Sequence, residues 1–153
     1  MEYINELIGR LDKKNIHYKN SSEEQMINLC SMVKEKKLPQ AYIEFMKYLG
    51  NGTDGQYMAG DSCFMDEIID LQQGAFELLD ENESINKLTD DDFVFWMSQG
   101  CMFCFFKLSE GDNPPVYCFS ENDEDKFIKI ADTIIEFFIN RMEMSKDTFR
   151  VKI

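Results

Sequence analysis

Phe93-Val94-Phe95-Trp96-Met97-Ser98, then Gln99-Gly100, then Cys101-Met102-Phe103-Cys104-Phe105-Phe106, is the stretch whose reading decides the fold. A polar loop follows, and then Pro115-Val116-Tyr117-Cys118-Phe119. Aromatic and β-branched residues bounded by Gly and Pro predict strands, and the Gly-containing break between the first two runs predicts a hairpin. Phe93, Phe95 and Met97 alternate with Val94, Trp96 and Ser98, and both sets are mostly apolar. An antiparallel sheet usually keeps one face wet. Either helices cover both faces here, or part of one face is an apolar binding surface with Trp96 as its anchor.

Outward from this core the chain is helical. Ile4, Leu7, Ile8 and Leu11 share one helix face over roughly 2–14, closed by Lys13-Lys14. Ile16-His17-Tyr18 predicts a short extended link. Ser21 or Ser22, with Glu24 or Gln25 three residues on, predicts a capping box. Met26, Leu29, Cys30 and Val33 form the stripe of the helix that follows. Leu38-Pro39 starts another helix, with Pro39 at its first position and Tyr42, Phe45, Met46 and Leu49 on its apolar face. Gly50-Asn51-Gly52 ends it through the left-handed conformation that Gly and Asn tolerate. Residues 50–62 predict a loop with a short strand near Tyr57-Met58. Ile68, Leu71, Ala75, Leu78 and Leu79 predict a helix over 66–82, irregular near Gly74. Phe127, Ile130, Ala131, Ile134, Phe137 and Phe138 predict one over 124–143. The tail Thr148–Ile153 alternates as an edge strand does.

The chain has 153 residues, one domain's length with a core of its own. No apolar run approaches the roughly 18 residues of a membrane span. The acidic start, Met1-Glu2-Tyr3-Ile4-Asn5-Glu6, is unlike a secretory signal, so the expected location is cytoplasmic. Five cysteines make no disulfide framework and predict reduced thiols in or near the core. The net charge of −13 argues against nucleic acid and anionic membranes as partners and suits a basic protein.

Most of that excess lies in one segment. From Asp61 to Asp92 there are eleven acids against the single base Lys87, a net of −10. Concentrated negative charge steers a basic partner. Asp66, Glu67, Asp70, Glu77, Asp80, Glu81, Glu83, Asp90, Asp91 and Asp92 are the candidate partner-binding residues, with residues 121–125 as a possible extension. The bland alternative is a solvated helix face.

The remaining motifs carry no chemistry. Cys101-x-x-Cys104 has no second pair to complete a tetrahedral zinc site, and on a strand residues three apart face opposite sides. His17, the one histidine, has no nucleophile motif beside it. Gly50–Gly55 lacks the Lys-Ser/Thr of a phosphate loop, and neither Asp90-Asp91-Asp92 nor Glu121–Asp125 has EF-hand spacing. No catalytic residue, metal ligand or cofactor is expected, and the reading is a non-enzymatic binding domain.

Leu38-Pro39-x-x-Tyr42-x-x-Phe45-Met46 followed by Asn51-Gly52 resembles the leading helix motif of the SUKH superfamily, which includes the Smi/Knr-like proteins. Pro115-Val116-Tyr117 resembles the strand after that family's central hairpin, and Ile130 to Phe138 resembles its closing helix. The match spans roughly 22–142. Ser98-Gln99-Gly100 stands where the family often has a Gly-Asp-Gly-like turn, and Thr133-Ile134 replaces its usual small residue and Phe. The resemblance implies an α+β domain, filling 1–153, with a mostly antiparallel central sheet flanked by helices. It also implies a bacterial immunity protein that binds a cognate toxin, often a nuclease, of a polymorphic toxin system. The alternative it implies is a regulatory scaffold without a toxin partner.

Overall fold

The computed structural model describes residues 2–33, 36–53, 57–58, 61–121 and 125–143. Its elements are α1 (Asn5–Lys13), α2 (Glu23–Ser31), α3 (Gln40–Leu49), β1 (Asp61–Ser62), α4 (Ile68–Glu81), β2 (Asp92–Ser98), β3 (Met102–Lys107), a 3₁₀ turn (Leu108–Glu110), β4 (Val116–Ser120), β5 (Ile128–Ala131) and α5 (Ile134–Glu143). The five strands form one antiparallel meander in chain order. The architecture is α+β. Among the described residues no helix is long and apolar enough to cross a membrane.

The hairpin turns at Gln99-Gly100, both at positive φ, with Cys101 N–H donating to the Ser98 carbonyl. That is the primed turn whose twist suits two adjacent antiparallel strands. In β2 strict alternation breaks, because the register slips between Val94 and Trp96. The bulge lets neighbours Phe95 and Trp96 reach the same helix, both edge-on to Phe137 of α5. Tyr42 of α3 packs against Phe93, Phe95 and Phe106 on this side, and Phe45 stacks on Phe138 at 3.8 Å. α4 covers the opposite side of β2, with Met97 against Gly74. Phe127 closes over Phe103, Phe105 and Phe119. Helices and loops therefore cover both faces. Trp96, 1% exposed, is core and not a surface anchor.

Three helix ends show how the elements are held. Ser22 and Gln25 form the capping box of α2. α1 has no side-chain cap of its own, and the buried Glu44 of α3 replaces it. Its Oε1 accepts the N–H groups of Glu2, Tyr3 and Ile4 at 3.0, 2.8 and 3.1 Å. At the end of α3, Gly50 keeps a right-handed φ of −58°. Its reason is close approach: a Cβ there would sit 1.8 Å from Ser21 Oγ and 2.3 Å from the Met46 carbonyl. The left-handed residue is Gly52.

Several expectations are corrected. The helix over 124–143 splits: Ile128–Ala131 is β5, paired with β4, and α5 starts only at Ile134. Thr133 Oγ accepts the Glu136 N–H there, so a helix cap breaks the apolar stripe. The strand of the 50–62 loop is Asp61–Ser62, not Tyr57-Met58. α4 runs unbroken through Gly74. Pro39 is the N-cap of α3, one place before its first turn. Cys30 is exposed, while Cys63, Cys104 and Cys118 are buried. The strand expected at 148–153 lies outside the described residues.

Candidate functional site

The acidic segment 61–92 runs through β1, along α4 and into β2, and the fold separates its carboxylates into three groups. The first is internal. Asp61, buried at the edge strand, accepts from Arg141 of α5 at 2.7 Å, and the guanidinium lies 5.2 Å from the centre of the Trp96 ring. Breaking such a buried pair by removing one partner costs about 3–5 kcal/mol. Asp91 accepts from Ser109 N–H and Oγ and pairs with Lys36, and these bonds hold its carboxyl below the usual range. Asp92 pairs with Lys107 at 2.8 Å and accepts the Thr89 N–H. These three carboxylates brace the fold.

The second group sits at the start of α4. Asp66, Glu67 and Asp70 are exposed, with Glu67 the N-cap and Asp70 in the first turn. Acids there complement the positive end of the helix dipole. The helix explains them without a partner.

The third group has no such explanation. Glu77, Asp80, Glu81 and Glu83 are exposed at the C-terminal end of α4, where the dipole is negative. No basic residue stands in the last turn. Among the described residues no cation lies within ion-pair distance of these four, and Glu77 accepts only a long bond from Gln73 at 3.4 Å. The chain then closes α4 with a double bond pattern: Glu83 N–H to the Asp80 carbonyl and Ser84 N–H to the Leu79 carbonyl. That closure requires a left-handed residue at its fifth position, and Glu83 fills it at φ 51°. Glycine is the usual occupant, because a side chain there is strained.

Beyond Glu83 the loop is pinned from below. Asp125 accepts from Ser84 Oγ, Ile85 N–H and Asn86 Nδ2. These bonds, the Ser84 bond foremost, lower its carboxyl pKa. Asp125 is thus the support of the acidic loop. Residues 122–124 lie outside the described residues. Asp90, exposed, stands on the other flank where the chain turns into β2.

Beside this acidic end lies a surface that charge counting misses. Phe76 is 51% exposed there; Ile69, 67% exposed, lies two turns back at the start of α4, away from the acidic end. Phe76 and Leu88 line two adjoining grooves, one of about 490 Å³ with Met32, Val33, Phe93 and Leu108, the other of about 330 Å³ with Glu77, Asp80 and Glu83. The sequence signal was present: Ile69 and Phe76 fall off the buried stripe formed by Ile68, Leu71, Ala75, Leu78 and Leu79.

The other candidates stay apart. Cys104 lies opposite Cys118 across β3 and β4, not beside Cys101, which occupies the turn. Burial, then the bond to Cys118, raises the Cys104 thiol pKa. His17 is exposed between α1 and the Tyr18–Thr53 bridge. Asn51 bonds Gln25 and the Asn20 carbonyl, so its turn fastens α2 to α3. Among the described residues no cluster of three or more His, Cys, Asp or Glu side chains could hold a metal ion.

No curated protein matches the chain. A family model, that of the SMI1–KNR4 cell-wall family within SUKH, matches residues 14–138. That span runs from the end of α1 into α5 and takes in the whole sheet and the acidic helix, and the chain belongs to this family.

Proposed function

We propose that this chain is an immunity protein of a polymorphic toxin system. It binds a cognate toxin and neutralises it by covering the toxin's active cleft. Family membership is compatible with a protein-interaction role. The observation that carries the reading is the cluster Glu77, Asp80, Glu81 and Glu83, held at the negative end of a helix dipole with no cation within ion-pair distance among the described residues. A basic partner supplies what this surface lacks. A nuclease toxin has such a partner surface, because the cleft that receives phosphates is itself cationic, and the carboxylates occupy it in their place. Asp66, Glu67, Asp70 and Asp90 extend the same negative field, while Asp91 and Asp92 position its edge. The reading places the protein in the bacterial cytoplasm, acting by stoichiometric binding with no cofactor.

The test starts from gene neighbourhood, where a large toxin gene with a variable C-terminal end directly upstream names the partner. The toxin's terminal domain and this chain are expected to form a one-to-one complex whose affinity falls as salt rises. The triple variant Asp80→Lys, Glu81→Lys, Glu83→Lys is expected to weaken it by roughly 100-fold and to lose protection of cells expressing the toxin. Unchanged affinity and salt dependence in that variant would sink the surface assignment. Tight binding to a protein without toxicity would replace immunity with a scaffold role.

A further inference from the structure

The acidic surface and the apolar grooves share walls, and together they define a partner more closely than charge alone. Phe76 and Leu88 stand between the two grooves. On one side lie Met32, Val33 and Leu108, with Lys36 paired to Asp91; on the other, Glu77, Asp80 and Glu83 outnumber the one cation there, Lys87. A half-exposed Phe on the wall between two grooves is apolar surface left in water. We propose that this composite groove, between α2, α4 and the segment leading into β2, seats a cationic, apolar-anchored helical segment of a partner protein. Its apolar side chains cover Phe76 and Leu88, and its Lys or Arg side chains meet Glu77, Asp80 and Glu83. This rests on the acidic surface being the interface and adds where the partner enters and what it must carry.

Charge complementarity selects that occupant. A second copy brings its own −13 and its own acidic ridge, so it is repelled. Nucleic acid and anionic membranes are repelled for the same reason. Strand addition is blocked where the groove meets β2. The Gln72 side chain accepts the Val94 N–H at 3.1 Å and donates to the Val94 carbonyl at 2.6 Å, so it already supplies the bonds that an added strand would make. What remains is recognition by side chains, the mode of an amphipathic helix in a groove.

The full chain, labelled for amide NMR, is titrated with a roughly 14-residue Leu/Lys amphipathic peptide and with a Lys-only peptide of equal charge. The expected shifts map to Met32, Phe76 and Leu88, and the Leu/Lys peptide binds at least about tenfold more tightly than the Lys-only one. Phe76→Ser, at an exposed position where the fold is not at stake, removes that advantage. Asp80→Lys with Glu83→Lys weakens both peptides. Equal binding of the two peptides, or an unchanged affinity in Phe76→Ser, overturns the groove while leaving the acidic surface standing. Indifference to charge reversal overturns both. Self-association that rises with concentration and competes with the peptide, or a gain in affinity on deleting residues 144–153, assigns the groove to a second copy or to the chain's own tail and likewise overturns the proposal.

Discussion

Two helices of this protein end in the same way and for opposite reasons. α1 closes with Asn15 N–H to the Asp12 carbonyl and Ile16 N–H to the Leu11 carbonyl, and α4 repeats the pattern at Glu83 and Ser84. At α1 every local preference is met. Asn15, a residue that tolerates positive φ, takes the left-handed position at 56°. Arg10 and Lys13 face the negative end of the dipole. Ile16, next in line, is buried in the core. At α4 Glu83 takes the left-handed position, Asp80 and Glu81 replace the cations, and the next residue is the polar Ser84. Consistency across levels marks a structural end, and a local violation marks a site where another requirement prevails. The end of α1 meets the helix's own requirements, and the end of α4 departs from them, as the proposed partner surface requires.

The largest expected effect strikes the structural helix. Glu44→Ala leaves the N–H groups of Glu2, Tyr3 and Ile4 without their acceptor. Denaturant unfolding is expected to show a loss of about 2–3 kcal/mol, since charge-assisted bonds and part-buried donors are both at stake. Burial alone would raise the Glu44 carboxyl pKa, but the N–H bonds from Tyr3, Glu2 and Ile4 and the Gln40 amide together lower it. A depressed folded-state value stabilises the protein above the unfolded carboxylate range and ceases to do so as pH falls through the folded value. Stability measured from pH 7 downward should therefore drop less steeply in the Glu44→Gln variant than in the wild type. A parallel acid limb in both would show that the carboxylate's charge is not what holds α1. The Asp125 carboxyl is lowered too, and its sign is the same. Asp125→Asn is expected to speed amide exchange at Ile85 while lowering the global midpoint only slightly, because the loop it pins is exposed.

Most of this was legible in the chain, and the exceptions share a cause. The Ser22–Gln25 box, the Tyr42–Phe45 face and the hairpin at Gln99-Gly100 are local patterns, set by residues within a turn or two of one another. β5 was missed because Ile128 and Ile130 alternate over only four residues and merge into the spacing of Ile134, Phe137 and Phe138. The signal that separates them is Thr133-x-x-Glu136, a helix start within the apparent stripe. The bulge at Val94–Trp96 has no signature in a run of alternating aromatics. The Glu44 cap joins residues about forty apart, and the Asp61–Arg141 pair joins residues eighty apart. No periodicity reports such partners. Counting acids between 61 and 92 therefore treats as one surface what the fold divides, assigning Asp61, Asp91 and Asp92 to bracing and leaving the end of α4 outward.

A smaller effect is the most discriminating. Glu83→Gly removes a side chain from a left-handed position and a negative charge from a helix C-terminus. Both changes favour the folded state, by about 1 kcal/mol together, since the relief of strain is partly offset by the freedom that glycine gains in the unfolded chain. Asn15→Gly is the control at the matching position. Asn already tolerates the conformation, so its stability should move by only a few tenths of a kcal/mol, in either direction. The two variants then part over binding. Asn15→Gly leaves partner affinity unchanged. Glu83→Gly, although more stable, binds more weakly and with a shallower salt dependence, because one carboxylate has left the steering field. A residue that weakens the fold where it sits and strengthens association is one retained for its partner. If Glu83→Gly gained stability and kept full affinity, the contrast between the two helix ends would be conformational only, and the burden of recognition would pass to Glu77, Asp80 and Glu81.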